Sequence, residues 1–296
     1  MPILLDHQLR EQISHETTEF PLAYYRDELA SLPGRAGPAH WHPDFEIATA
    51  LTGVVEYQVG QQHVALEPGD SIFVNGNMLH GVRQLSGDNP DPLPNMVFSG
   101  DLIAPEQSRI CRKYIHPIAR CDALPFILFR HGDPAHDEVR ALIRDTYALL
   151  QDPGPCCEMT VQRNISSIFE YIFLHFDSFP KSPAARVQLK SQIRMQKMLT
   201  YIYEHYAQPV TLADIAGAAN ISRSEAGRCF QAYMGCSPVD ALIRYRLQTA
   251  RRLLGENTQT LQQISQACGF NSVNYFSRKF RQTYGCAPGR SGKLGK

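Results

Sequence analysis

The sequence predicts a multidomain protein: an all-β barrel or jelly roll with flanking helices, then an all-α domain of two tandem helix-turn-helix units. Three observations lead there. Residues 20–100 hold short alternating runs separated by turn residues, the last hundred residues hold longer runs of helical period, and charge divides between the two stretches. Residues 1–180 carry 12 Lys and Arg against 24 Asp and Glu, whereas residues 181–296 carry 17 against 5. A formal net charge of zero therefore conceals one acidic half and one basic half.

At 296 residues and 43% hydrophobic content the chain is long enough, and apolar enough, for two packed cores. The basic half suits a phosphate backbone, and attraction between the two halves is the alternative use of the asymmetry. The opening MPILLDHQLREQISHE has no basic stretch leading into an apolar one, so no secretory signal is expected. Runs such as Phe126–Phe129 fall far short of a membrane span. The eight cysteines form no CxxC pair and no zinc spacing. Free thiols in a cytoplasmic protein are expected, although Cys156 and Cys157 are adjacent.

In the acidic half, strands are expected at Glu46–Leu51, Val54–Val59, His63–Leu66 and Ser71–Val74. Gly53, Gly60-Gln61, Pro68-Gly69-Asp70 and Asn75-Gly76-Asn77 separate them, the pattern of a barrel or jelly roll. Tyr114–Pro117 and Leu124–Phe129 read as a further strand region, followed by helices at 136–151 and 158–176. The second helix is apolar over a broad surface, which suits either pairing of two subunits or packing on the barrel. Residues 177–190, DSFPKSPAARVQLK, read as a linker. The expected domains are thus 1–178, a linker over 179–190, and 191–296.

In the basic half, Leu189, Ile193, Met198, Leu199, Ile202 and Tyr206 mark an amphipathic helix that Pro209 ends. Thr211 with Asp214, and Ser222 with Glu225, are capping-box patterns around a turn at Ala219-Asn220-Ile221. Gly235 closes the second helix, Pro238 opens a long one with a stripe of Leu242, Ile243, Leu247, Ala250, Leu253 and Leu254, and Gly255 stops it. The arrangement then repeats. Leu212, Ile215, Ala219 and Ile221 match Leu261, Ile264, Cys268 and Phe270, and Phe230, Gly235, Cys236 and Pro238 match Phe280, Gly285, Cys286 and Pro288. Thr260 with Gln263 caps the second copy, Gly269 forms its turn, and its second helix spans Ser272 to Tyr284. Helix, tight turn, helix is the geometry that places a helix in a major groove.

The segments TLADIAGAANIS, RCFQAYMGCSP, RLQTARRLL and ISQACGFNSVNYFSRKFRQTYG resemble the DNA-binding domain of AraC/XylS-type transcription regulators. The resemblance covers about a hundred residues and implies two helix-turn-helix units joined by a long helix, here about 239–253. It places base-edge contacts at Ser224, Gly227 and Arg228 in the first recognition helix. In the second it places them at Val273, Asn274, Ser277 and Arg278. Arg228 and Arg278 suit guanine, Asn274 suits adenine and Val273 a thymine methyl, whereas Gly227 has no side chain to read with. Arg223, Gln231, Ser272, Lys279 and Arg281 are the expected phosphate contacts. In place of the family's closing Pro-x-x-aromatic-Arg stands Pro288-Gly289-Arg290-Ser291-Gly292, so the end through Gly295-Lys296 is expected to fray.

Gly34-x5-His40-x-His42-x3-Glu46-x6-Gly53 is similar, spacing for spacing, to the first motif of the cupin superfamily. Gly69 and His80 fit the second motif, with Asn75 and Asn77 in place of its Pro and Gly. On a regular strand His40, His42 and Glu46 share one face, and His80 comes from a distant strand. The four make an effector-binding set or a site for Zn, Fe, Mn or Ni. Trp41 falls on the opposite face. The expected function is an effector-controlled, sequence-specific transcription regulator, leaning to activation and not an enzyme. Its expected partners are double-stranded promoter DNA, a small-molecule effector, RNA polymerase and a second copy of the chain. A metal-dependent cupin enzyme with a basic accessory domain is the alternative, and a constitutive DNA-binding protein whose barrel only dimerises is a third.

Overall fold

In the computed structural model, residues 19–86, 92–181, 185–256 and 259–291 are described, in two units that divide between Leu189 and Lys190. The opening segment, Leu189's side chain and the end at 292–296 lie outside the described residues.

The first unit is built on two antiparallel sheets. Strands β1 (Leu22–Asp27), β2 (Phe45–Thr49), β5 (Ser71–Val74), β7 (Leu93–Phe98) and β8 (Phe126–Phe129) form one, in the order β1-β7-β2-β5-β8. Strands β3 (Val55–Val59), β4 (Gln62–Leu66) and β6 (His80–Gln84) form the other, in the order β4-β3-β6. The period of two divides the residues of the first sheet between two cores. Ala48, Ile72, Val74 and Leu93 pack with Val55, Tyr57, Val59, Leu66 and Val82 of the second sheet. Phe45, Ile47, Phe73, Met96 and Phe98 point the other way, into a core shared with helices.

Those helices are α1 (His116–Ala119), α2 (Asp137–Gln151) and α3 (Cys157–Leu174). On α3, Val161, Ile165, Ile168, Phe169 and Ile172 are buried in the same core, and the Phe169 ring meets Phe45, Phe73 and Phe98 at centroid distances of 5.0, 5.8 and 6.1 Å. Most of the apolar face of this helix is therefore packed within the chain, while Met159 and Leu174 stay exposed. Tyr114–Pro117 corrects an expectation: it is helical, with a π-helix at Cys111–Ile115 running into α1. Cys111, Ile115 and Ile118 are buried at helical spacing, and the β-like composition of the four-residue window concealed it.

The second unit continues α4 (Ala185–His205), which starts within the stretch read as linker. There follow α5 (Leu212–Ala218), α6 (Arg223–Met234), α7 (Pro238–Glu256), α8 (Leu261–Ala267), α9 (Val273–Tyr284) and the short α10 (Pro288–Ser291). Thr211 and Thr260 form complete capping boxes with Asp214 and Gln263. Ser222 accepts from Glu225 N as expected, but the Glu225 side chain turns to Arg194 Nη1 on α4 at 2.5 Å. Asn220 takes the left-handed conformation of the first turn at φ 53°. Gly255 does not stop α7, which continues to Glu256. Leu247, Ala250, Ile264, Cys268, Phe270, Phe276 and Phe280 make the core of the second repeat.

Candidate effector site and nucleic-acid interface

His40, His42, Glu46 and His80 come together, all buried, with one potential ligand atom from each within 4.8 Å of the others. They do not share a regular strand as the spacing suggested. β2 begins at Phe45, and His40 instead bridges His80 through backbone hydrogen bonds of 2.8 Å in both directions. The loop carrying His42 is held from outside its own motif: Asn77 N donates to His42 O at 2.7 Å. A Cβ on Gly76 would stand 2.3 Å from Pro43 O, so this close approach needs glycine. Asn75, in place of the motif's proline, donates through Nδ2 to Ile118 O and Leu124 O and anchors the loop to α1 and the turn after it.

Each imidazole is oriented by a backbone carbonyl. Nδ1 of His40 lies 2.9 Å from Pro38 O, Nδ1 of His42 lies 2.9 Å from Asp44 O, and Nδ1 of His80 lies 2.7 Å from Met78 O. A carbonyl can only accept, so Nδ1 carries the proton and Nε2 of the neutral ring presents a lone pair. His80 Nε2 lies 2.8 Å from Glu46 Oε2, and His42 Nε2 lies 3.4 Å from the same oxygen. Buried as it is, His42 Nε2 makes no hydrogen bond among the described residues. Glu46 Oε1 accepts from Tyr57 Oη at 2.9 Å. The β3 alternation of Val55, Tyr57 and Val59 pointed Tyr57 inward, but its partner was not readable in sequence.

Electrostatics follow from burial. Burial, then the charges of His80 and His42, push His40 down to about 3, so this ring stays neutral. Burial opposes charge on Glu46, but the positive charge that His80 and His42 can carry beside it holds its carboxyl well below the usual range. Burial and the Glu46 charge push the Tyr57 phenol well above its ordinary value, so it remains a donor. Further along the same sheet face, Asp27 Oδ2 accepts from Asn95 Nδ2 at 2.6 Å. Burial, then the charge of Glu46, raise Asp27 to about 6.

In the second unit, Arg223, Ser224 and Arg228 on α6 and Gln231 one turn further on are exposed. Gly227 sits among them with nothing within 4 Å of where a Cβ would be. On α9, Asn274, Arg278 and Arg281 are exposed, and Val273, Ser277 and Lys279 are half-buried. Ser272 is the N-cap, its hydroxyl accepting from Tyr275 N at 3.3 Å. Tyr275, which sequence reasoning passed over, lies under the Arg278 guanidinium with its centroid 5.4 Å away, and 6.0 Å from Lys279 Nζ. That stacking narrows the directions Arg278 can take. Exposed cations along an exposed helix face suit a polyanion.

The sequence pattern of the helix-turn-helix domain matches residues 215–293, and that of the cupin domain matches residues 30–90. An uncharacterised HTH-type transcriptional regulator of Bacillus subtilis, YdeC, is 25% identical over 290 residues, covering 96% of both chains. The HTH-type transcriptional activator RhaS of Pectobacterium carotovorum is 24% identical over 260 residues, 86% of this chain and 88% of its own. A putative AraC-like transcription regulator of Streptomyces lividans is 27% identical over 170 residues, 57% of this chain and 56% of its own. These relatives are named as regulators, and the enzyme alternative gains no support from them. A cupin domain followed by paired helix-turn-helix units, in a sequence that aligns with regulators along nearly its full length, makes this chain a DNA-binding transcription regulator of the AraC type.

Proposed function

We propose that this regulator senses a small effector through a divalent metal ion held by His40, His42, Glu46 and His80, and that the sensed state sets how its recognition helices engage promoter DNA. The observation that carries the reading is the convergence of three imidazoles and a carboxylate, with Nδ1 of each ring held by a backbone carbonyl. Outer hydrogen bonds of this kind orient metal-ligating histidines. Borderline nitrogen donors with one hard oxygen suit Zn, Fe, Mn or Ni. When bound, such an ion would neutralise the carboxylate and offer an open position to an oxygen- or nitrogen-donor effector.

The protein residues supply the rest. Tyr57 holds Glu46 in place, and the 75–77 loop fixes His42. Arg228, Arg278, Asn274 and Val273 read bases, with Ser224 and Ser277 beside them. Arg223, Gln231, Ser272, Lys279 and Arg281 position the phosphate backbone. Control by the effector requires unequal affinity for two arrangements of the protein. Activation is favoured by the relative named as an activator. The reading is completed by RNA polymerase and a second copy of the chain as partners, in the cytoplasm where the promoter is.

The test is DNA affinity by fluorescence anisotropy, measured with chelator-treated protein and again after titration with Zn or Mn. Loading is expected to change affinity for a preferred fragment at least about tenfold, roughly 1.4 kcal/mol, and His42→Ala should abolish the response. Equal affinity of the two states would end the sensing reading.

A further inference from the structure

Two recognition helices on one chain read successive turns of one duplex only if their offset matches the helical repeat, about 34–36 Å or 10–10.5 base pairs. Something must therefore fix α6 relative to α9. The second repeat has a core of its own, so that core alone does not set the relation. The joint lies around α7. Arg246 Nε donates to Tyr206 O and Arg246 Nη2 donates to Gln208 O, both at 2.7 Å, in the segment between α4 and α5. The same guanidinium lies over the Phe270 ring, 5.8 Å from its centroid, in the turn between α8 and α9.

The backbones meet at the same place. Gly269 has φ 76°, and a Cβ on it would come 2.5 Å from Tyr206 O and 2.9 Å from Arg246 Nη2. The turn of the second repeat is thus seated on the backbone of the first, with the guanidinium wedged beside it. Tyr245 lines the joint, its ring 4.2 Å from Tyr203 and 5.1 Å from Tyr206. A planar fork that donates in two directions and stacks on a ring fixes an angle, which a lysine ammonium would not.

We propose that Arg246 is a positioning residue that sets the offset between α6 and α9, and thereby the subsite spacing this regulator accepts, without itself touching DNA. The bond to Gln208 O is exposed and the one to Tyr206 O is part-buried, so water can replace at least the lost donor at Gln208. Removing the side chain is therefore expected to loosen the joint and leave both repeats folded.

The experiment uses the full chain and a DNA fragment recovered by selection from a random library, with derivatives carrying two extra base pairs between the subsites. Such an insertion turns one subsite by about 70° relative to the other. The native chain is expected to lose at least about tenfold in affinity on insertion. Arg246→Met should weaken binding to the parent fragment roughly tenfold and cut the insertion penalty below about threefold. Arg246→Lys should fall between them, and it carries the test if Arg246→Met fails to fold by circular dichroism. Gly269→Ala, which opens the joint from the other side, should also reduce the penalty. A merely structural loss would lower affinity and leave the penalty at its native value, and that result overturns the proposal. A native chain indifferent to the insertion would overturn the fixed offset and the proposal with it.

Discussion

His80 Nε2 lies 2.8 Å from Glu46 Oε2 although His80 Nδ1 is already committed to Met78 O. A neutral ring would then turn a lone pair toward a carboxylate, two acceptors in contact. The pair needs a cation, either a proton on His80 or a metal ion shared by both. With His42 Nε2 buried and, among the described residues, unbonded at 3.4 Å from the same oxygen, the site has a second ring nitrogen to satisfy.

The metal reading predicts one divalent ion per chain after reconstitution, measured by mass spectrometry, and its loss in His42→Ala. At a free ion concentration of 100 times Kd the ion should stabilise the barrel by about 2.7 kcal/mol. That gain appears as a higher unfolding temperature of the first transition in the native chain and is absent from the variant. An equal shift in both would place the ion elsewhere.

Asp27 makes stability depend on pH in an identifiable window. Its folded value of about 6 stands above the ordinary 3.8, so between those values the native state holds the extra proton. The contribution is therefore complete below about pH 4 and lost as pH rises through 6. Allowing for the partial exposure of the group, the loss is about 1–2 kcal/mol. Urea titrations of chelator-treated Asp27→Asn should show no such decline and greater stability than the native chain at pH 7. A variant that loses stability at pH 7 would contradict the assignment.

Gly227 has helical backbone angles within α6, and nothing lies within 4 Å of a Cβ there. Within the protein, glycine only weakens this helix. Gly227→Ala is expected to raise stability of the second unit by about 0.5–1 kcal/mol in thermal unfolding. No gain, or a loss, would show that the helix contains a constraint the geometry does not reveal.

The recognition helices should be unequal readers. Arg278 is braced by Tyr275 and has Asn274 and Val273 nearby, whereas Arg228 has Gly227 beside it. Arg278→Ala should cost about 1–3 kcal/mol of discrimination at its base. Arg228→Ala should cost less, both read from competition with single-base variants. Equal penalties would remove the asymmetry.

Much of this was legible before any coordinates. Thr211 with Asp214 and Thr260 with Gln263 are local signals, and local hydrogen bonds keep them in the fold. The His and Glu spacing likewise marked the cluster, since cross-strand pairing brings His80 to His40. What stayed hidden depends on distant contacts. Tyr57 reaches Glu46, Glu225 prefers Arg194 to its own cap, and Arg246 holds carbonyls 40 and 38 positions away. The helix through Tyr114 was missed because four residues with Ile and Tyr look like strand until Cys111, Ile115 and Ile118 are seen on one buried face.

One chain that makes two adjacent major-groove contacts leaves its signature in DNA selected by the full-length protein from a random library and sequenced. Two enriched blocks are expected, centred about 10–10.5 base pairs apart, with the stronger base preference in the block whose pattern blurs when the library is reselected with Arg278→Ala. A library that emerges with no enriched sequence, or with a single block unaffected by Arg278→Ala, would contradict those two contacts.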